Sequence, residues 1–341
     1  MRIGLLTGGG DCPGLNAVIR AVVLDTLRRG GECTGIMEGW RGLIESQTRP
    51  LLRDDVRGIL RQGGTLLRTS RTNPFRSNDS IAALRETWSR LGLDALIAIG
   101  GEDTLGVAAR LFAEFGFPVV GVPKTIDNDL SGTDYTFGFD TAVSIATDAV
   151  DRLHTTAESH NRVIVLEVMG RDAGWIATHA GIAGGADVIA IPERETSIAE
   201  IAAVVRARAE TGRSFSIIVV AEGAHFAGLE TARRSRADEF GHSLLGGVGQ
   251  LLADALEAET GFETRVTVLG HVQRGGSPTA YDRVLATRLG LCASELAHTG
   301  RFGQMAALHG SEIEAIDLKA AVAQPKTVPE AFSKLAAIVS G

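Results

Sequence analysis

The sequence predicts an α/β protein with mostly parallel sheets, and three observations carry that expectation. Short apolar runs alternate with helical stretches along the whole chain, the pattern of consecutive βα units. Those runs end in glycine or proline followed by polar residues, as strands do where they deliver side chains to one sheet edge. At 341 residues the chain is long enough for two domains and a large core. The run-lengths alone leave one large sheet and two smaller ones equally open.

The elements follow in order. Ile3–Thr7 is the first strand candidate and ends in Thr7-Gly8-Gly9-Gly10-Asp11-Cys12-Pro13-Gly14, before a helix over Leu15–Arg29. Ala95–Ile99 is a second apolar run, followed by Gly100-Gly101-Glu102-Asp103-Thr104 and a helix over Thr104–Phe115. Pro118–Val122 leads into Pro123-Lys124-Thr125-Ile126-Asp127-Asn128-Asp129, and Thr141–Ala157 has the periodicity of a helix. Strands are expected at Val163–Val168, Ser216–Ala221 and Val266–Gly270, with helices over Ile198–Ala209 and Ser243–Thr260. The apolar, alanine-rich tail after Gly300 is expected to pack back as strand and helix. No internal repeat, low-complexity tract or linker stands out.

Composition narrows the function classes. Apolar residues make up 44% and charged residues 22%, ordinary for a globular enzyme. A net charge of −7 with no basic block argues against a nucleic-acid partner. No apolar run reaches the roughly 18 residues needed to cross a bilayer. Met1-Arg2-Ile3-Gly4 enters a strand at once, which leaves no room for a signal peptide. Cys12, Cys33 and Cys292 are odd in number and lack metal spacing, so reduced thiols in a cytoplasm are expected. Lysine occurs only at positions 124, 319, 326 and 334, which makes Lys124 conspicuous among the many arginines.

Several strand ends carry chemistry. In the first glycine turn, free backbone N–H groups and a helix N-terminus suit an anion. The spacing is neither Walker A nor G-x-G-x-x-G, and an ordinary β-to-α turn fits the same residues. Glu102 and Asp103 open a helix; Asp103 or Thr104 serves equally as an N-cap, whereas a metal ligand needs partner carboxylates. In an extended Thr125–Asp129, alternate residues share a face, so Thr125, Asp127 and Asp129 converge on one point beside Lys124. A polar loop with Asx turns competes with that reading but leaves the convergence unexplained. Met169-Gly170-Arg171, Glu222-Gly223 and His271-Val272-Gln273-Arg274 also follow apolar runs. Each alone is compatible with surface salt bridges. Together, arginines for phosphate and a glutamate for hydroxyls suit metal-assisted chemistry on a phosphorylated sugar.

These segments together resemble the phosphofructokinase family over nearly the whole chain. The motifs that carry the resemblance are Gly8-Gly9-Gly10-Asp11-Cys12-Pro13-Gly14-Leu15-Asn16, Thr125–Asp129, Met169-Gly170-Arg171, Glu222-Gly223 and Gly270-His271-Val272-Gln273-Arg274-Gly275-Gly276-Ser277-Pro278. The resemblance implies two Rossmann-like three-layer domains with mostly parallel sheets. Residues 1–139 plus about 255–305 would bind the phosphoryl donor, and 140–254 plus about 306–341 would bind fructose 6-phosphate. Asp127 resembles the general base toward the sugar 1-hydroxyl, with Thr125 and Asp129 in support. Arg171 would stabilise the transferring group. Met169, Gly170, Glu222, His271 and Arg274 would hold the sugar phosphate. Arg162 and Arg265 match positions that reach the 6-phosphate of a neighbouring subunit, which implies a homo-oligomer, tetramer or dimer. Glu102 matches the Mg²⁺ position, with Asp103 and Asp129 as further candidate ligands, and Gly10 and Arg71 match donor contacts.

The identity of the donor turns on Asp103 and Lys124. ATP-dependent members usually have glycine after the Mg²⁺-binding acid, and an aspartate there disfavours the nucleotide α-phosphate by size and charge. Members with this aspartate–lysine pair generally use pyrophosphate, so pyrophosphate is the expected donor. ATP as donor and sedoheptulose 7-phosphate as acceptor remain the alternatives. A non-catalytic sugar-phosphate-binding subunit would lack the base or metal acid, yet Asp127, Asp129, Glu102 and Arg171 are all present. A dehydrogenase is disfavoured by the spacing of the first glycine turn. Of the family's basic effector cluster, Arg20 and Arg53 remain while Leu24 and His154 replace arginines, which puts effector control in doubt.

Overall fold

The buried apolar runs pair into two sheets, each covered on both faces. The computed structural model describes residues 1–228, 234–237, 240, 243–244 and 247–339. The strands are β1 (Arg2–Thr7), β2 (Glu32–Ile36), β3 (Thr48–Leu51), β4 (Ala95–Gly100), β5 (Val119–Pro123), β6 (Val163–Val168), β7 (Val188–Ala190), β8 (Thr196–Ser197), β9 (Ser216–Ala221), β10 (Phe226–Ala227), β11 (Arg234–Ala237), β12 (Ser243–Leu244), β13 (Thr264–Val268), β14 (Gln304–His309) and β15 (Glu312–Asp317). The helices are α1 (Leu15–Arg28), α2 (Trp40–Ile44), α3 (Asn78–Leu91), α4 (Glu102–Phe115), α5 (Phe139–His160), α6 (Trp175–Ala183), α7 (Ile198–Glu210), α8 (Val248–Thr260), α9 (Ala280–His298), α10 (Leu318–Ala321) and α11 (Glu330–Val339).

The larger sheet has the order β15-β14-β5-β4-β1-β2-β3, and the second has the order β13-β6-β9-β7. The second is parallel throughout, whereas the first has antiparallel pairs only at β14–β15 and β2–β3. Period-two alternation explains the layers. Ile3, Leu5, Ile97 and Ile99 join one core, while Leu6, Leu96 and Ala98 point into another on the opposite face. In the second sheet Ile217 and Val219 share that first core, and Ile218 and Val220 face a third. The first core is therefore common to both sheets and locks them together. Each fully buried leucine or isoleucine stabilises by roughly 1.5–3 kcal/mol.

Strand order in the first sheet reverses at β1: β2 lies on one side of it and β4 on the other. That switch point opens a crevice beyond the carboxyl ends of β1 and β4, where ligands of open α/β sheets bind.

Two expected boundaries move. The helix expected over Ser243–Thr260 starts at Val248, because Gly247 adopts a left-handed φ of 88° that breaks the chain before it, and Ser243–Leu244 is a strand. The strand expected at Val266–Gly270 runs over Thr264–Val268 in register with β6, and Gly270–Arg274 forms a 3-10 turn. Sheet membership also departs from the expected division of the chain. Residues 264–268 pair with β6 in the second sheet, while 304–317 extend the first sheet beside β5. The chain thus crosses between the sheets at other points than expected, after β5 and again after β13, and α9 returns to pack on α1. Pairing partners so distant in sequence leave no local trace at a boundary.

Candidate active site

The cleft at the switch point is lined by Gly9, Gly10, Asp11, Arg71, Gly101, Glu102, Asp103, Thr104, Lys124, Thr125, Ile126, Asp127, Asp129, Arg171, Asp172 and Arg274. Its floor is the pair of glycine turns. Gly8 N–H donates to the Ile99 carbonyl at 3.0 Å, and Thr69 Oγ1 donates to the Gly9 carbonyl at 2.6 Å. A Cβ on Gly8 would lie 2.4 Å from Thr104 Oγ1, and one on Gly100 would lie 2.3 Å from Thr104 Cβ. Thr104, in the first turn of α4, can therefore wedge between the two turns only because both lack side chains. Glu102 and Asp103 sit in that same first turn, where the helix dipole favours carboxylates.

The acidic wall follows β5. Asp127 N–H donates to Thr125 Oγ1 at 3.0 Å, a local turn that aims the loop into the cleft. Burial, and then the charge of Asp129, pushes the Asp127 carboxyl up to about 7, against the pull of Arg274. Asp129 is raised as well, chiefly by burial, with a hydrogen bond from Thr125 offsetting part of the rise. Two carboxyls held this close cannot both ionise freely, so one of them is basic near neutral pH.

Cations face that wall. Lys124 is buried, and its Nζ donates to the Gly10 carbonyl at 2.5 Å. Desolvation lowers its affinity for a proton, with Arg274 adding to the effect. Gly10 makes room for Arg274, since a Cβ there would lie 2.3 Å from Arg274 Nη1. Asp127 Oδ1, Arg171 Nε and Arg274 Nε are buried and find no hydrogen-bond partner among the described residues. Such groups are costly unless a ligand satisfies them.

The cleft thus gathers Gly10, Arg71, Glu102, Asp103, Lys124, Thr125, Asp127, Asp129, Arg171 and Arg274 from the sequence expectations. Other expected residues frame it. Gly170, at φ 138°, and Gly223 bring the turns after β6 and β9 together: Gly223 N–H donates to the Gly170 carbonyl at 3.0 Å, and a Cβ on Gly223 would meet the Arg171 carbonyl at 1.9 Å. Glu222 is raised by burial, while Arg171 and Arg274 pull it down. Met169 N–H donates to Oε1 of the fully buried Gln273 at 3.3 Å, which ties the second sheet to the 3-10 turn. His271 is exposed on that turn. Arg162 and Arg265 are not brought into this cleft. They stand at the opposite ends of β6 and β13, a strand length of roughly 20 Å away, and both pair with Glu263.

Asp11, Asp172 and Lys326 were not singled out from sequence, although Asp11 lies inside the first glycine motif and Asp172 follows Arg171. Lys326 fastens the loop behind Asp127 and is one of only four lysines. As for a metal, no cluster of three ligating side chains is preformed among the described residues, so Glu102, Asp103 and Asp129 do not form a closed cage. Hard carboxylate oxygens around an anion cleft fit Mg²⁺, which keeps waters and shares its shell with substrate phosphates. No helix among the described residues is long and apolar enough to cross a membrane.

Comparison with known proteins places these features in context. The phosphofructokinase family model matches residues 2–297. The chain is 58% identical over 331 residues to the pyrophosphate–fructose 6-phosphate 1-phosphotransferase of Amycolatopsis methanolica, covering 96% of each chain. It is 53% identical over 333 residues to ATP-dependent 6-phosphofructokinase 3 of Streptomyces coelicolor, covering 97% of each. Among solved structures, the phosphofructokinase of Saccharomyces cerevisiae superposes with a TM-score of 0.80 at 33% identity. That match covers 99% of this chain and 46% of the yeast chain, so this chain spans about half the yeast protein's length.

Proposed function

This chain belongs to the phosphofructokinase family, and from that premise we propose that it transfers a phosphoryl group reversibly from pyrophosphate to the 1-hydroxyl of fructose 6-phosphate. The observation that carries the choice of donor is the pair Asp103 and Lys124 on one side of the cleft. Asp103 places a carboxylate where a nucleotide α-phosphate needs space, while Lys124 offers a buried cation to a small, highly charged donor. The relative named for pyrophosphate at 58% identity supports the reading.

The chemistry divides among this chain's residues. The sugar lies on the side of Glu222, His271 and Arg274, and the donor lies over the glycine turns with Gly10 and Arg71. Asp127 takes the proton from the 1-hydroxyl as oxygen 1 attacks the near phosphorus. The bond from that phosphorus to the bridging oxygen breaks, and inorganic phosphate departs with the bridging oxygen and its electron pair. Arg171, whose Nε finds no hydrogen-bond partner among the described residues, offsets charge on the transferring group. Glu102, with Asp103 and Asp129 as further oxygen donors, would hold Mg²⁺, which when bound neutralises and orients the phosphates. The rate gain comes mainly from positioning and electrostatics.

Arg162 and Arg265 complete the 6-phosphate site of a neighbouring copy, so the enzyme works as a homo-oligomer. Their distance from the chain's own cleft fits that role, as does the exposed Val268, which shares the edge strand β13 with Arg265. The three free thiols, Cys12, Cys33 and Cys292, fit a reducing cytoplasm.

The ATP-named relative at 53% identity keeps ATP as the second reading. Rates of purified protein with fructose 6-phosphate and Mg²⁺, measured with pyrophosphate and with ATP, decide between them. Turnover with pyrophosphate alone is expected. Turnover with ATP alone overturns the donor, and turnover with neither donor moves the question to another sugar phosphate.

A further inference from the structure

Lys326 lies outside residues 2–297, the part matched by the family model, yet it reaches the loop that carries Asp127. Its ammonium meets three acceptors: Asn128 Oδ1 at 3.0 Å, the Thr133 carbonyl at 2.8 Å and the Asp134 carbonyl at 2.9 Å. Its backbone N–H donates to the Asp129 carbonyl at 2.7 Å. One residue thus grips the acidic loop by main chain and by side chain. It is held in turn from the other side, because Trp175 Nε1 donates to the Lys326 carbonyl at 2.9 Å and the ammonium sits 5.3 Å from the Trp175 ring centre.

Asn128 is the point of leverage. It stands between Asp127 and Asp129, is 1% exposed and holds a left-handed φ of 52°. Asparagine tolerates that conformation better than most residues other than glycine, and here the hydrogen bonds of its side chain fix it there. Its Oδ1 also accepts the Thr136 N–H at 3.0 Å, so the Lys326 ammonium completes a fixed acceptor rather than a free one. If Asn128 returned to an extended conformation, the carboxylates on both sides of it would turn away from the cleft. A plain tail anchor is a weaker account of Lys326, because the tail already has one. Glu193 Oε1 accepts the Val328 N–H at 2.8 Å and the Gly174 N–H at 3.0 Å.

We propose that Lys326 is a positioning residue for phosphoryl transfer, acting through Asn128 to hold Asp127 and Asp129 at their reactive orientation. The proposal rests on the reading of Asp127 as the base. It gives the segment around Lys326 a catalytic duty that its place beyond the family match does not suggest.

The test uses the full-length enzyme with fructose 6-phosphate, Mg²⁺ and pyrophosphate or ATP, whichever the wild type uses. Lys326→Met keeps the length of the side chain and removes the cation. We expect kcat to fall about tenfold or more, with KM for both substrates within about threefold, as for a misplaced catalytic group. Asn128→Gly tolerates the left-handed turn but offers no acceptor, and a similar fall is expected. The double variant should lose no more than about twofold beyond either single variant, since both break one clamp. Glu193→Gln weakens the tail anchor and its tie to Gly174 without touching Lys326 or Asn128, and should leave kcat within about twofold.

Wild-type kcat in Lys326→Met overturns the proposal, as does a loss confined to KM or a multiplicative loss in the double variant. So does a fall in Glu193→Gln equal to that in Lys326→Met, because docking of the tail would then be the cause. If Lys326→Met does not fold, Asn128→Gly carries the test, and an unchanged kcat there overturns the clamp. A wild type inactive with both donors overturns the functional reading itself, and the clamp with it. An active wild type with an indifferent Lys326→Met overturns the clamp alone.

Discussion

Lys124 Nζ donates to the carbonyl oxygen of Gly10 at 2.5 Å, and so joins the end of β5 to the glycine turn after β1 across the intervening β4. The backbone of Lys124 continues the ladder, its N–H reaching the Gly100 carbonyl at 2.9 Å. The ammonium is thus fixed in place before any ligand arrives, and costs no reorganisation when an anion binds. Lys124→Met should lower kcat/KM for pyrophosphate by about 10²-fold, the usual loss for one pre-organised donor. KM for fructose 6-phosphate should change little. Equal losses on both substrates in steady-state kinetics would mean that Lys124 only holds the turn.

Asp127→Asn should lower kcat by roughly 10²–10⁴ while sugar binding and fold survive. The wild-type carboxyl stands at about 7, raised by burial and by Asp129. It acts as a base only when ionised, so kcat/KM should fall about tenfold per pH unit below that value. Stability moves the other way. The folded pKa exceeds the ordinary aspartate value of 3.8, so the native state holds the extra proton between the two values, and stability falls as pH rises through that window. Asp127→Asn should therefore gain stability over wild type as pH rises, as read from urea midpoints at pH 5 and pH 8. A variant with near-native kcat removes Asp127 as the base.

Asp103→Gly should open the cleft to ATP. Asp103 occupies the first turn of α4 beside Glu102 and lines the cleft, where the proposed reading sets its carboxylate against a nucleotide α-phosphate. Removing the carboxylate removes both bulk and like charge, and a gain of about tenfold or more in kcat/KM for ATP is expected. Pyrophosphate turnover should persist, because Lys124 is untouched. No gain with ATP would place donor choice elsewhere.

The sequence shows the cleft far better than it shows what holds the cleft together. β4 and β5 end in chemistry-bearing turns that are visible as apolar runs closed by Gly100-Gly101 and Pro123-Lys124. Asp127 and Asp129 are legible because they are neighbours in the chain. Lys326 is 198 residues from Asn128, and nothing local marks their contact. The same holds for β13 and β14, whose sheets are set by pairing with β6 and β5 rather than by their own sequence. The interlock of Thr104 with Gly8 and Gly100 also lies beyond local pattern, since only the fold brings the two turns together.

Asp282 offers a test of the joint between α5 and α9 that leaves the cleft alone. It is fully buried, and its Oδ2 accepts both the N–H of Thr141 at 2.8 Å and the Thr141 hydroxyl at 2.5 Å. Burial nonetheless outweighs those bonds and pushes the carboxyl up to about 6. Because the folded pKa lies above the ordinary aspartate value of 3.8, the native state keeps the proton to higher pH than the unfolded chain. Ionisation is then a cost borne by the fold, absent below about pH 4 and complete above about pH 6. Asp282→Asn still offers Thr141 an acceptor but does not titrate. Its stability relative to wild type should rise by up to about 3 kcal/mol between pH 4 and pH 7, with kcat unchanged. A flat difference across that range, measured by urea unfolding, would mean that the carboxyl is ionised throughout and that the Thr141 bonds outweigh its burial.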